Sequence, residues 1–192
     1  ATADYSDRRA LVAALSGIHT VFMVSASETP DRVQHHLTFI DAAVDAGVQR
    51  IGYVSFFGAS PTATFTLARD HWATEEHLRS VGVTHTILRD NLYADFAPYM
   101  IAADGNIRGP AGDGRAAVVA QADIADVAVA VLTSDGAYDG RTLSLTGPVA
   151  GLTPGGAGQP ASRAWDDGCG PDRRTRLERG GPSGPDGGPV LR

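Results

Sequence analysis

VFMVSASETPDRVQHHLTFIDAAVDAGVQRIGYVS, residues 21–55, decides the fold. Val21, Phe22, Met23 and Val24 form one continuous apolar run, and Ile51, Gly52, Tyr53 and Val54 form a second. Unbroken apolarity, as opposed to alternation, is what a parallel strand covered by helices on both faces requires. Between the runs, Thr29 is placed to cap a helix and Pro30 suits its first position. Val33, Leu37, Ile40 and Val44 then recur at helical spacing, and Gly47 ends the helix. The stretch therefore predicts a strand, a helix and a parallel strand.

The same alternation extends to both sides. An earlier helix is expected from Ser6 or Asp7 through Leu11, Val12 and Leu15 to Gly17, and Thr86, Ile87 and Leu88 read as a further strand. Residues 65–80 read as a helix with apolar positions at Ala68, Trp72 and Leu78. Asp70, His71, Thr74, Glu75 and Glu76 interrupt that face, which suits a helix bordering a site, and Trp72 is expected in the core. A helix opening at Asp123 carries Ile124, Val127, Ala128, Val131 and Leu132 on one side. Thr142 to Leu145 form a late strand, and residues 105–119 a glycine-rich excursion with a short hairpin. Strands alternating with helices place residues 1–147 in the α/β class, as a doubly wound parallel sheet.

Composition changes at Pro148. Residues 148–192 hold 11 of the 23 glycines and 7 of the 11 prolines, too little apolar surface to offset the entropy of ordering. A disordered tail is expected there. Its irregular Gly, Pro, Arg and Asp content also matches an out-of-frame reading of GC-rich DNA, a hypothesis that resequencing across Pro148 tests.

Several function classes are excluded by composition. At 43% hydrophobic, with no apolar run approaching the roughly 18 residues of a membrane span, the chain reads as a soluble, cytoplasmic domain without a secretory signal. A net charge of −6 opposes general affinity for nucleic acid or anionic membranes. The single cysteine, Cys169, rules out an internal disulfide. Every basic residue is arginine, so a Tyr-x-x-x-Lys pair, a P-loop lysine and Schiff-base chemistry are all absent from these residues. His35 and His36 are adjacent and diverge on a helix, and His71 and His77 are six apart, so no metal is expected.

In open parallel sheets, ligands bind beyond the carboxyl ends of the strands. Here those ends carry Ser25 and Ser27, then Ser55, then Arg89, Asn91 and Tyr93, groups suited to ribose hydroxyls or a polar ring. Capping and turn formation explain such residues equally well. No Gly-x-Gly-x-x-Gly or Gly-x-x-Gly-x-x-Gly turn follows a strand, so the usual pyrophosphate cradle is missing from these residues.

Six segments in order, Ala3-Asp4-Tyr5-Ser6-Asp7, Val24-Ser25-Ala26-Ser27, Tyr53-Val54-Ser55, His71-x-x-Thr74-Glu75, residues 87–93 and Leu145-Thr146-Gly147-Pro148, resemble the NmrA-like atypical short-chain dehydrogenases, and among them the type 2 NAD(P)H:quinone oxidoreductases. The resemblance implies a partial Rossmann-like domain lacking its N-terminal glycine-rich βαβ unit. It implies NADP or NAD as cofactor and hydride transfer to a quinone-like small molecule or related carbonyl, with this fragment inactive. The alternative is a non-catalytic NAD(P)-binding redox sensor. By position it places Asp4 and Tyr5 near the adenine, Val24, Ser25 and Ser27 beside the ribose or nicotinamide, and Ser55 at the substrate pocket. Arg89, Asn91 and Tyr93 follow on the nicotinamide side, with His71 and Tyr93 as catalytic groups. Glu75, one helical turn from His71, is expected to raise its pKa. Gln121 departs from the arginine frequent before Ala-Asp in the family.

Overall fold

A computed structural model describes residues 1–100, 102, 115–148, 190 and 191. In chain order the elements are α1 (Arg8–Leu15), β1 (Thr20–Met23), α2 (Arg32–Asp45), β2 (Arg50–Phe56), α3 (Thr66–Ser80), β3 (Thr84–Asp90), a 3-10 turn (Ala94–Phe96), α4 (Ala97–Met100), α5 (Gln121–Leu132), β4 (Thr142–Leu145) and β5 (Val190–Leu191). The strands form one sheet in the order β1-β2-β3-β4-β5. β1 runs parallel to β2, with Val21 opposite Ile51 and Met23 opposite Tyr53, as the opening stretch predicts. Among the described residues no helix is long and apolar enough to cross a membrane.

The chain forms two compact units. The first comprises Ala1–Arg89 and Ala128–Leu143. Its core gathers Leu11, Met23, Phe39, Ile40, Ile51, Tyr53, Leu78 and Ile87. α1 packs on α2, α2 on α3, and α3 against β2. Asp7 caps α1 by accepting from the Ala10 amide at 2.9 Å, and Gly47, at φ +80°, supplies the left-handed turn that ends α2.

Two local expectations are corrected here. α2 begins at Arg32, with Asp31 as its N-cap; Pro30 lies in the turn ahead, and the Thr29 carbonyl accepts from the Arg32 amide at 3.1 Å. The buried face of α2 is also rotated from the Val33, Leu37, Ile40, Val44 stripe. It runs through Arg32, His36, Phe39, Ile40 and Ala43, while Val44 is exposed. Polar groups can occupy a buried face when each finds a hydrogen-bond partner, and α3 supplies them. Trp72 is only half-buried, with the Arg79 guanidinium 5.7 Å from its ring.

The second unit comprises Asp90–Val127 and Ser144–Arg192. Tyr93 and Val119 form a parallel bridge: the Val119 amide donates to the Leu92 carbonyl at 3.0 Å and the Ala94 amide to the Val119 carbonyl at 2.9 Å. α5 starts at Gln121, ahead of the expected Asp123, because the Asp95 carboxylate accepts from the Gln121 amide at 2.8 Å. A cap contributed from 26 residues away leaves no local signal. Within the segment expected to be a disordered tail, Val190 and Leu191 are described as β5, parallel to Ser144 and Leu145; a strand edge offers backbone partners to a segment with little apolar surface. The rest of the expected tail, with Trp165 and Cys169, lies outside the described residues, as does most of the glycine-rich excursion.

Gly147 is required by a close approach. A Cβ there would stand 2.1 Å from the Val118 carbonyl oxygen, a backbone atom with no rotamer to change. Gly147→Ala is therefore expected to destabilise the protein by about 1–3 kcal/mol, the usual range for overpacking. A thermal melt unchanged from the parent would contradict this.

Candidate functional site

β1 ends at Met23, and residues 24–31 carry the chain from the sheet to α2. Tyr5 holds the start of this loop: its hydroxyl donates to the Val24 carbonyl at 3.1 Å, and its ring packs 4.7 Å from that of Phe39. Burial pushes the phenol pKa above its ordinary value. Beside it, Asp4 accepts from the Ser6 hydroxyl at 2.6 Å and the Ser6 amide at 2.8 Å, bonds that hold its carboxyl below the usual range.

The Ala26 peptide is gripped at both ends. Its amide donates to His36 Nε2 at 2.8 Å, and its carbonyl accepts from Arg32 Nε at 2.8 Å. Arg32 and His36 sit four apart on α2, a spacing that aligns them on one face, and both are buried.

These contacts fix the protonation of two histidines. An amide only donates, so His36 Nε2 is bare; Nδ1 carries the hydrogen and donates to Thr74 Oγ1 at 2.8 Å, which donates in turn to the Asp70 carbonyl at 2.9 Å. A guanidinium also only donates. Arg32 Nη2 lies 3.0 Å from His71 Nε2, so the His71 hydrogen is on Nδ1 and is donated to the Tyr53 hydroxyl at 2.8 Å. Burial first, and the Arg32 charge second, hold both histidines neutral with pKa values of about 3.

Glu75 does not act on His71 as expected, and the sign of the shift is reversed. Fully buried, it accepts from Ser55 Oγ at 2.5 Å, from Arg89 Nε at 2.9 Å and Nη2 at 2.8 Å, and from Arg79 Nη2 at 2.8 Å. Its charge is spent on two arginines. His71 faces Arg32 instead and has no proton to release as an imidazolium near neutral pH. Ser55 and Arg89, expected at a ligand, are turned onto Glu75.

Ser25 and Ser27 differ. Ser25 is half-buried and Ser27 exposed, and neither hydroxyl bonds to a described residue. Behind their loop, Arg32 Nη1 is a buried donor without a hydrogen-bond partner among the described residues, 3.6 Å from Asp70 Oδ2. The loop thus presents two hydroxyls on a backbone fixed from behind, a surface suited to a sugar or an amide-bearing ring. Among the described residues no three His, Cys, Asp or Glu side chains are grouped to hold a metal.

In the second unit, Asn91 braces the chain: Nδ2 donates to the Ala117 carbonyl at 3.1 Å and Oδ1 accepts from the Leu92 amide at 2.8 Å. The Tyr93 hydroxyl donates to Asp90 Oδ2 at 2.7 Å. Sequence reasoning missed Arg32, His36, Tyr53 and Asp90. Arg32 and His36 left one trace, a polar pair at helical spacing inside an amphipathic helix.

The model of a family described as NAD(P)H-binding matches residues 1–135. Quinone oxidoreductase 2 of Escherichia coli (strain K12) is 35% identical over 150 residues, covering 76% of this chain and 51% of the relative. An NAD(P)H azoreductase of Xenophilus azovorans is 29% identical over 153 residues, covering 78% and 53%. The chain therefore spans about half the length of the curated relatives it matches. The crystal structure of the Escherichia coli NADPH-dependent quinone oxidoreductase complexed with NADPH superimposes with a TM-score of 0.68, covering 76% of this chain and 52% of that one.

Proposed function

Because the chain belongs to this NAD(P)H-binding family, we propose that it is part of an NmrA-like reductase passing hydride from NAD(P)H to a quinone or related carbonyl. The observation that carries the reading is the loop of residues 24–28, its Ala26 peptide held by Arg32 and His36 and its serine hydroxyls without a partner among the described residues. Hydroxyl and backbone groups on a rigid loop fit the ribose and carboxamide of a nicotinamide nucleotide, which bind through neutral hydrogen bonds.

When bound, the cofactor supplies the two-electron, hydride-transfer chemistry. Ser25 and Ser27 bind and orient. Arg32 and His36 are positioning residues that prevent the loop from reshaping, and His71 keeps Arg32 in place with Tyr53 behind it. Pre-organisation of this kind spares the cost of ordering a loop on binding. No glycine-rich turn follows a strand in these residues, so in this reading the 192 residues do not turn over by themselves; the pyrophosphate needs backbone donors at a helix N-terminus.

The test joins the chain behind a glycine-rich strand-turn-helix unit and follows NADPH oxidation with and without quinone. Quinone-dependent oxidation is expected, and tight NADPH binding without turnover would replace this reading by that of a sensor. In the active form, removing both hydroxyls (Ser25→Ala with Ser27→Ala) is expected to weaken NADPH binding about tenfold to thirtyfold, at about 1 kcal/mol per neutral hydrogen bond. An unchanged Kd would remove the loop from the site.

A further inference from the structure

Asp90 and Tyr93, at the carboxyl end of β3, are not used by the reading above. Asp90 is the last residue of β3 and 3% exposed. Successive strand residues point to opposite faces: Arg89 turns to Glu75, and among the described residues no ion pair reaches Asp90. Its side-chain partner is the Tyr93 hydroxyl, 2.7 Å from Oδ2. Burial raises the Asp90 carboxyl to about 6, although the Tyr93 bond pulls the other way. Burial and the adjacent carboxylate push the Tyr93 phenol well above its ordinary value.

The surroundings of Tyr93 suit a flat ligand. Its ring stacks on Phe96, with centroids 5.7 Å apart and planes at 29°, and Phe96 is 54% exposed. The Val119 bridge and the bond from the Phe96 amide to the Tyr93 carbonyl at 3.1 Å fix both residues. An exposed aromatic surface ending in a buried, hydrogen-bonded acid is a binding feature and a proton source together.

We infer that Asp90 and Tyr93 form a proton-delivering pair for the oxygen of a flat quinone or aromatic carbonyl acceptor whose ring rests on the Tyr93–Phe96 stack. The inference rests on the proposed function for the identity of the acceptor. With Asp90 ionised, the phenol hydrogen is held by Oδ2. With Asp90 protonated, the carboxyl hydrogen is donated to the phenol oxygen, and the phenol hydrogen turns to the acceptor. The acceptor gains two electrons with the hydride from a reduced nicotinamide. Its oxygen forms an O–H bond as the Tyr93 O–H bond breaks, Tyr93 takes the Asp90 proton, and solvent reprotonates the carboxylate. Tyr93 would touch the acceptor, and Asp90 acts through it.

The test uses the 192-residue chain and 4-nitrophenolate, a flat ring whose yellow colour disappears when its oxygen takes a proton. Near neutral pH the parent is expected to bind the probe and bleach it, while Asp90→Asn binds it with similar affinity and leaves it yellow. The acid dissociation constant of the bound probe should differ on the order of tenfold between the two. Tyr93→Phe keeps the ring surface and removes the relay. It should leave the bound probe yellow and raise the Asp90 carboxyl midpoint seen by carbon NMR, because a bond favouring the carboxylate is lost. No binding, equal colour in parent and Asp90→Asn, or an Asp90 midpoint that stays put or falls in Tyr93→Phe overturns the inference. Failed NADPH oxidation in the joined protein would sink the proposed function without touching these results.

Discussion

Lowering the pH from about 7 to about 5 is expected to remove about 3 kcal/mol of folding free energy. His36 and His71 are held neutral with pKa values of about 3, against 6.5 for a free histidine. In the folded state they resist protonation, and in the unfolded state they accept it. Below 6.5 the unfolded chain therefore binds more protons, and stability falls with pH until the folded values are reached. Each histidine contributes about 1.4 kcal/mol per pH unit in that window. Asp90 acts in the opposite sense. Its folded pKa of about 6 exceeds the ordinary 3.8, so the folded state binds the extra proton between those values, and part of the histidine loss is returned. Loss of about 3 kcal/mol is a large share of the 5–15 kcal/mol that stabilises a typical domain. Urea unfolding at a series of pH values measures the slope. Stability that is flat or rising on acidification would mean that one or both histidines are charged in the fold.

Glu75→Gln is expected to cost about 3–5 kcal/mol, because it removes the buried carboxylate that pairs with the Arg89 guanidinium. Glu75 and Arg89 are 0% and 5% exposed in their side chains, whereas Arg79 is one-third exposed and can regain water. Removing both buried partners should cost less than removing one. Glu75→Leu with Arg89→Met takes away the ion pair and leaves apolar volume, a replacement that is often neutral in protein interiors. A double-mutant cycle by thermal unfolding tests the pair. If the double variant loses as much as the sum of the single losses, the two residues are not coupled and the buried bridge is not the feature that holds α3 to β3.

The sheet was legible in the sequence because its signal is local: residues 21–24 and 51–54 announce parallel strands, and β1 and β2 contain both runs except Val24, which lies past the end of β1 and is exposed. The polar interior was not. The apolar periodicity of α2 favoured Val33 and Val44 over the face through Arg32 and His36, because hydropathy treats a buried, fully hydrogen-bonded histidine as a surface residue. His71 illustrates the same limit. Glu75 is its helical neighbour at the right spacing, yet the charge that acts on His71 after burial is that of Arg32 on α2, and Glu75 itself is held by Arg89 on β3. Ser55 looked like a ligand contact by position and is a donor to Glu75. The position of Ser25 and Ser27 just past the end of β1 was legible, because a strand end of a parallel sheet needs no side-chain partner to be identified; their part in binding is a proposal.

The most direct measurement of the central claim is a backbone amide NMR titration of the 192-residue chain with reduced nicotinamide mononucleotide, which lacks the adenylate half and needs no pyrophosphate cradle. Shifts confined to residues 24–28 and the adjoining first turn of α2, abolished in His36→Ala, are the predicted result. Shifts centred elsewhere, or an undiminished response in His36→Ala, would contradict a nicotinamide site built on a loop that α2 holds in place.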